Sequence, residues 1–167
     1  MKKALLVIDM QNVCVGEEHD TYFKYDNETL IKSVNEVIDS YESEMVVYIK
    51  NVMKKNIINK LAPFQAYEGT KEVELVGGLN VVSEYIFTKY EGNAFSNPKL
   101  GDFLKEQNIE SVEVVGVDGG GCVALTALGA LKEGYKVIVN ESAIGTMFEK
   151  KKEKYFEKLR KKGAVFE

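Results

Sequence analysis

Val112-Glu113-Val114-Val115-Gly116-Val117-Asp118-Gly119-Gly120-Gly121-Cys122-Val123-Ala124, running on through apolar residues to Gly134-Tyr135, is the stretch that decides the fold. A β-branched run stops at a glycine-rich turn, and a helix begins with a cysteine in its first turn. Such a corner is where a parallel α/β sheet places its chemistry. Residue type alone admits two occupants: a reactive thiolate at Cys122, or a phosphate held by the glycine amides.

Working outward, Lys3-Ala4-Leu5-Leu6-Val7-Ile8-Asp9 is a near-continuous apolar run that ends in a carboxylate, the pattern of a strand buried on both faces. Asn27 is a candidate cap for a helix with Leu30, Val34, Val37 and Tyr41 at helical spacing, and Met45-Val46-Val47-Tyr48-Ile49 makes a second strand. Residues 51–81 read as a long functional loop with a short helix over 57–61. A third strand is predicted over 82–88, leading into Lys89, and Asn97-Pro98 opens a helix carrying Leu100, Phe103 and Leu104. The focal strand over 112–117 is followed by a helix over 121–133, and Gly134 stands where a left-handed C-terminal residue is expected. A fifth strand over 136–139, an amphipathic helix marked by Phe148, Lys152, Tyr155 and Leu159, and a short strand over 164–166 complete the chain. Alternating strands and helices with short crossovers predict a single doubly wound α/β domain spanning all 167 residues. Its sheet is mostly parallel, of about six strands, with helices on both faces.

Composition narrows the function. The net charge is −4 and the basic residues are scattered apart from 150–162, so no clustered footprint for nucleic acid exists. No apolar run approaches the ~18 residues of a membrane span, and Met1-Lys2-Lys3 leads straight into a strand with no signal-peptide pattern, so no membrane partner and a cytoplasmic location are expected. Cys14 and Cys122 lie far apart without CxxC spacing and are expected to be free thiols. The single histidine, His19, sits in a polar loop and is expected to be solvated, which nearly excludes a histidine-rich metal site or a histidine-based triad.

Asp9, Lys89 and Cys122 each follow a buried strand at its C-terminal end. If the first, third and fourth strands neighbour one another, the three side chains converge. Cys122 at a helix N-terminus would favour thiolate, Lys89 would lower its pKa further, and Asp9 would move the proton. Each has a plainer reading taken singly: a packed cysteine, a turn-capping aspartate, a surface lysine. Their joint placement at strand ends is what favours chemistry.

Four ordered stretches carry a resemblance. They are Ala4-Leu5-Leu6-Val7-Ile8-Asp9-Met10-Gln11-Asn12, Glu68-Gly69-Thr70 before Leu79, Lys89-Tyr90-Glu91-Gly92-Asn93-Ala94-Phe95, and Gly116 through Cys122-Val123 with Thr126-Ala127 and Gly134-Tyr135. With this spacing the chain resembles the isochorismatase-like cysteine hydrolase superfamily, which includes nicotinamidases, N-carbamoylsarcosine amidases and ureido-group hydrolases. The resemblance covers nearly the whole length. It implies a catalytic triad of Asp9, Lys89 and Cys122, a cis peptide at Val117–Asp118, and an oxyanion hole built from the amides of Asp118 and Cys122. It also implies a small-molecule substrate and a homo-oligomer. Gln11, Phe64, Tyr67, Gly119 and Gly120 are the candidate substrate contacts.

Two departures from the family pattern stand out. Where metal-dependent nicotinamidases carry an aspartate and histidines, this chain reads Lys50-Asn51-Val52-Met53-Lys54-Lys55-Asn56, so neither metal nor cofactor is expected. Gly119-Gly120-Gly121 replaces bulkier residues before the cysteine, which predicts a flexible turn and a bare pocket wall. The leading expectation is a metal-independent hydrolase that cleaves a C–N bond in a small amide or ureide through a Cys122 acyl-enzyme. A catalytically inactive binding protein is one alternative. A nucleotide-binding Rossmann-type protein is another, since the glycine turn fits GxGxxA and Glu141 follows about twenty residues on.

Overall fold

Strand β1 (Lys3–Ile8) splits its side chains between two cores, and the whole architecture follows from that split. In the computed structural model, which describes residues 1–167, Ala4, Leu6 and Ile8 face one buried cluster while Leu5 and Val7 face the other. Side chains alternate across a strand, so an unbroken apolar run demands cover on both faces. Helices α4 (Pro98–Glu106), α5 (Cys122–Lys132) and α6 (Glu149–Lys161) supply Leu100, Leu104, Ala127 and Phe156 to the first cluster. The short α1 (Asn12–Val15) and α2 (Asn27–Ile38) cover the other face with Val13, Leu30, Val34 and Ile38, and the one-turn α3 (Ile57–Lys60) buries none of its residues. Burying a side chain such as Leu104 contributes about 1.5–3 kcal/mol each.

The remaining strands are β2 (Val46–Asn51), β3 (Ile86–Lys89), β4 (Ser111–Val117), β5 (Lys136–Gly145) and β6 (Val165–Phe166), in the spatial order β3-β2-β1-β4-β5-β6. Every pairing between them is parallel. The doubly wound six-stranded α/β domain expected from the sequence is therefore the one observed. No helix is long and apolar enough to cross a membrane.

Several boundaries differ from expectation. β3 starts only at Ile86; Val81 and Val82 are exposed, and the Tyr48 hydroxyl holds that segment by accepting from Val82 N at 3.0 Å and donating to Asn80 O at 2.6 Å. Asp26, not Asn27, caps α2, accepting from Thr29 N at 3.3 Å. β5 continues to Gly145 because its polar residues form a bulge: between the pairs Val114↔Val139 and Gly116↔Ile144, Val115 alone faces 140–143. At the far end of the bulge the strand turns inward and buries Ala143.

Gly116 fixes how closely β4 approaches β1. Its φ is +108°, and a Cβ there would lie 2.1 Å from the Ile8 carbonyl oxygen, so only glycine fits. This contact sits one residue before Asp9 on one strand and two before Asp118 on the other.

Candidate active site

Three strand ends and one helix start build the site. Asp9 leaves β1 in the left-handed region, with φ +53°, which turns its carboxylate off the line of the strand. Asp9 N donates to Ile49 O at 3.0 Å and Asp9 O accepts from Gln11 N at 2.8 Å, so the bend is held from both sides. Cys122 is the first residue of α5, and Lys89 is the last of β3.

The expected strand neighbourhood is not the observed one. β2 lies between β1 and β3, so Lys89 starts two strand spacings from Asp9, roughly 10 Å away. Lysine's length solves the problem, because its ammonium passes over the end of β2. Lys89 Nζ lies 3.0 Å from Asp9 Oδ2, 3.2 Å from Cys122 Sγ and 3.2 Å from Asn51 Oδ1. An ammonium has three donors, and all three are used. The three residues singled out from the sequence thus converge, by reach and not by adjacency. Asn51, the third ligand of the ammonium, was missed because its amide carries no charge pattern a sequence scan would flag.

The electrostatics are those of a nearly dry site. Lys89 is 1% exposed and Asp9 5%. Burial alone would lower the Lys89 pKa, but the Asp9 carboxylate and the Cys122 sulfur outweigh it and hold the ammonium above its ordinary value. Burial pushes the Cys122 thiol up, Asp9 adds to the rise, and Lys89 offsets only part of it, leaving the thiol at about 12. Burial and Asp9 thus work against the thiolate that the helix start and Lys89 favour. A neutral thiol needs a base, and the Asp9 carboxylate is the candidate. Asp9 Oδ1 is buried with no hydrogen-bond partner, while Oδ2 is occupied by Lys89.

The glycine turn is wired in an equally specific way. Gly119 N donates to Gly145 O at 3.0 Å, Gly120 N to Asp118 Oδ1 at 2.7 Å, Gly121 N to Asp118 O at 2.9 Å and Val123 N to Asp118 O at 3.1 Å. The amides of Asp118 and Cys122 donate to no acceptor in the chain. The Val117–Asp118 peptide is cis. A phosphate cradle needs several adjacent amides aimed outward. Here the three glycine amides are spent on the Gly145 carbonyl, the Asp118 carboxylate and the Asp118 carbonyl, so the turn is not built for a nucleotide.

The expected bare wall is filled. A Cβ on Gly119 would lie 2.5 Å from Thr146 Oγ1, and one on Gly120 would lie 2.6 Å from the Phe148 carbonyl oxygen. Both glycines are buried, and their lack of a side chain admits the β5–α6 connection instead of opening a pocket. Gln11 is likewise withdrawn from substrate: its side chain accepts from Asn51 N at 2.7 Å and donates to Asn51 O at 3.0 Å and Val73 O at 2.9 Å. It positions the backbone that carries Asn51. Phe64 packs on Phe23 and Tyr22, with ring centroids 4.7 and 5.7 Å away, which joins the first loop to the second. The Tyr67 hydroxyl is buried without a partner. His19 is partly buried, with Nδ1 2.9 Å from Gly16 O, and lines a cleft of about 700 Å3 that contains none of Asp9, Lys89 and Cys122. A second cleft, of about 390 Å3, is lined by Val52, Met53, Lys54, Lys55 and Tyr90, which follow Asn51 and Lys89 directly.

The residues after β2 do not fit a divalent ion. Asn51 is committed to Lys89, Val52 is buried and apolar, and Lys54 and Lys55 bring positive charge. No group of three His, Cys, Asp or Glu side chains that could hold a metal ion forms anywhere in the chain.

With this fold and this geometry in view, the chain belongs to the isochorismatase family of hydrolases: the isochorismatase domain model matches residues 3–166. An isochorismatase-like hydrolase from Alkaliphilus metalliredigens is similar at 29% identity and a TM-score of 0.82, covering 99% of this chain and 94% of its own. N-carbamoylsarcosine amidase from Thermoplasma acidophilum shares the fold at 24% identity and a TM-score of 0.83, over 100% of this chain and 96% of that one. The pyrazinamidase of Pyrococcus horikoshii, solved in complex with zinc, shares it at 22% identity and a TM-score of 0.86, over 100% and 99%. No curated protein matches the sequence.

Proposed function

We propose that the protein is a metal-independent cysteine hydrolase that cleaves a C–N bond in a small amide or ureido substrate. The observation that carries the reading is a single ammonium, Lys89 Nζ, bonded to both Asp9 and Cys122 while Asp9 Oδ1 stays unpartnered. Family membership supports hydrolysis, and the donor set after β2 supports chemistry without a metal ion.

The groups act in a defined order. Cys122 Sγ attacks the carbonyl carbon as its proton passes to Asp9 Oδ1, forming a C–S bond and an oxyanion. The free amides of Asp118 and Cys122 receive that oxyanion, and removing one such donor typically costs about 10²–10³ in rate. Asp9 then gives the proton to the leaving nitrogen, the C–N bond breaks, and ammonia or an amine departs from a thioester. Water attacks the thioester, Asp9 takes its proton, and collapse returns that proton to sulfur and releases the acid. Lys89 remains protonated throughout, holding carboxylate and sulfur together.

A panel of primary amides and ureides, read by ammonia or amine release, tests the proposal. The wild-type protein turns over at least one member with a thioester at Cys122 detectable by mass, and Cys122→Ala turns over none. Turnover that survives Cys122→Ala overturns the mechanism, and no turnover across the panel favours a ligand-binding role.

A further inference from the structure

The Asp118 carboxylate is tied to three separate segments of the chain. Its Oδ2 accepts from the Tyr25 hydroxyl at 3.0 Å and from Met147 N at 2.6 Å, and its Oδ1 accepts from Gly120 N at 2.7 Å. Tyr25 ends the first loop, Met147 lies between β5 and α6, and Gly120 lies in the turn itself. Asp118 is 9% exposed, and none of these three donors is a charged group. Burial and the Asp118 carboxylate both keep the Tyr25 phenol protonated, so it remains a donor. A carboxylate beside a developing oxyanion is electrostatically unfavourable unless its position gives something in return.

Position is what it gives. The Asp118 carboxylate and the Asp118 amide belong to one residue, so anchoring the first restricts rotation of the second. The same residue's carbonyl accepts from Gly121 N and Val123 N, which fixes where α5 and the Cys122 amide begin. Gly119 and Gly120 let Thr146 and Phe148 close over the turn, and the 2.5 and 2.6 Å that a Cβ would leave show how little room remains. We propose that Asp118 is a positioning residue whose carboxylate, clamped by Tyr25, Met147 and Gly120, aims the amides of Asp118 and Cys122 at the oxyanion. The inference rests on the hydrolase reading above, because it gives those amides an oxyanion to meet.

Two reactions of one thiol separate this role from simple scaffolding. Acylation by p-nitrophenyl acetate passes through an oxyanion: the C–S bond forms, the C–O bond breaks, p-nitrophenolate leaves and the thiol proton goes to Asp9. Alkylation of the same sulfur by iodoacetamide displaces iodide and forms no oxyanion. Asp118→Asn keeps the size of the side chain but replaces an acceptor oxygen with an NH2 group that faces donors. It is expected to slow the Cys122-dependent p-nitrophenolate burst by about 10- to 100-fold, short of the loss of a whole donor, while alkylation changes less than about twofold. Tyr25→Phe, which removes one of the three contacts, is expected to show the same selectivity with a several-fold effect, and it keeps the test open if the Asn variant does not fold. Equal slowing of both reactions assigns Asp118 to packing and overturns the proposal. No change, or faster acylation, overturns it as well; the latter would make the carboxylate an electrostatic brake. If the wild-type protein shows no burst beyond that of Cys122→Ala, the hydrolase reading fails first and the clamp with it.

Discussion

Two of the buried carboxylates, Glu113 and Asp9, are finished in opposite ways. Glu113, within β4, has both oxygens occupied: Oε2 accepts from the Tyr41 hydroxyl at 2.6 Å and from Lys3 Nζ at 3.0 Å, and Oε1 from Asn140 Nδ2 at 2.9 Å. Asp9, at the end of β1, pairs one oxygen with Lys89 and leaves the other buried and bare. A buried polar atom without a partner costs about 1–3 kcal/mol. Glu113 is closed as a structural group is closed. Asp9 keeps an acceptor oxygen for the proton transfer proposed above.

Substituting each carboxylate by its amide breaks the comparison most sharply. Asp9→Asn removes the base and is expected to lower turnover by about 10²–10⁴-fold on whichever amide or ureide the wild-type protein cleaves. Glu113→Gln is expected to leave turnover within about twofold, since it lies outside the proposed reaction path. An Asp9→Asn protein that keeps near-wild-type turnover would place the base elsewhere.

The partner cations differ in the same sense. Lys89 is fully enclosed, with side-chain exposures of 0% for Lys89 and 6% for Asp9, whereas Lys3 is 37% exposed beside Glu113. Removing one partner of an enclosed pair strands a charge, so Lys89→Met is expected to destabilise the protein by about 3–5 kcal/mol in urea unfolding. The Lys3→Met change is expected to cost about 1 kcal/mol or less, because the exposed end is screened by water. Similar costs for the two would mean that the site ion pair is better hydrated than its geometry implies.

Acid titration gives the third and smaller contrast. Burial works to raise the Glu113 carboxyl, but the hydrogen bonds from Tyr41 and Asn140 and the Lys3 charge outweigh it and hold it below its ordinary value of 4.5. A carboxyl lowered by folding stabilises the protein fully above the unfolded value, and that stabilisation is lost as pH falls through the folded one. At neutral pH Glu113→Gln is expected to cost about 1–3 kcal/mol. The wild-type Tm should then fall more steeply than the variant's below about pH 4.5, with the two converging in acid. Parallel curves would show that Tyr41 and Asn140 serve the neutral side chain equally well.

The legibility of this molecule follows the same division. Continuous apolar runs such as Ala4–Ile8 and Val112–Val117 made the two-sided sheet readable, because burying both faces leaves a local, unbroken signal. The convergence of Asp9, Lys89 and Cys122 was readable from their places at strand ends, although the strand order was not, since nothing local tells Lys89 that β2 intervenes. Asn51 and the Asp118 clamp were missed for a related reason. Their partners lie far off in the chain, with Lys89 bonded to Asn51 on the neighbouring strand and Met147 and Tyr25 meeting at Asp118. One signal was available: an aspartate followed by two glycines is the sequence of an Asx turn, and Asp118 Oδ1 accepting from Gly120 N is such a turn. The triple glycine misled because absence of side chains reads as empty space, whereas Thr146 and Phe148 use that space to pack.

The thiols provide the finest test of how closed the site is. Cys14 is 7% exposed, has no cation bonded to it and has its pKa raised well above the ordinary thiol value, chiefly by burial and then by Asp9. Cys122 is partly exposed, touches Lys89 at 3.2 Å and lies at about 12. Iodoacetamide, followed by peptide mass analysis, should therefore label Cys122 before Cys14, but with a rate that keeps rising with pH beyond 10 because the thiolate is the nucleophile and is scarce at neutrality. A plateau below pH 8 would show that Lys89 and the start of α5 outweigh desolvation, making Cys122 a resting thiolate and Asp9 a spectator of the first proton transfer. Equal, slow labelling of both thiols would remove Cys122 from its privileged place. A rising profile with Cys122 first would identify a thiol that stays protonated until a base takes its proton, the part proposed for Asp9, whose carboxylate acts on that thiol.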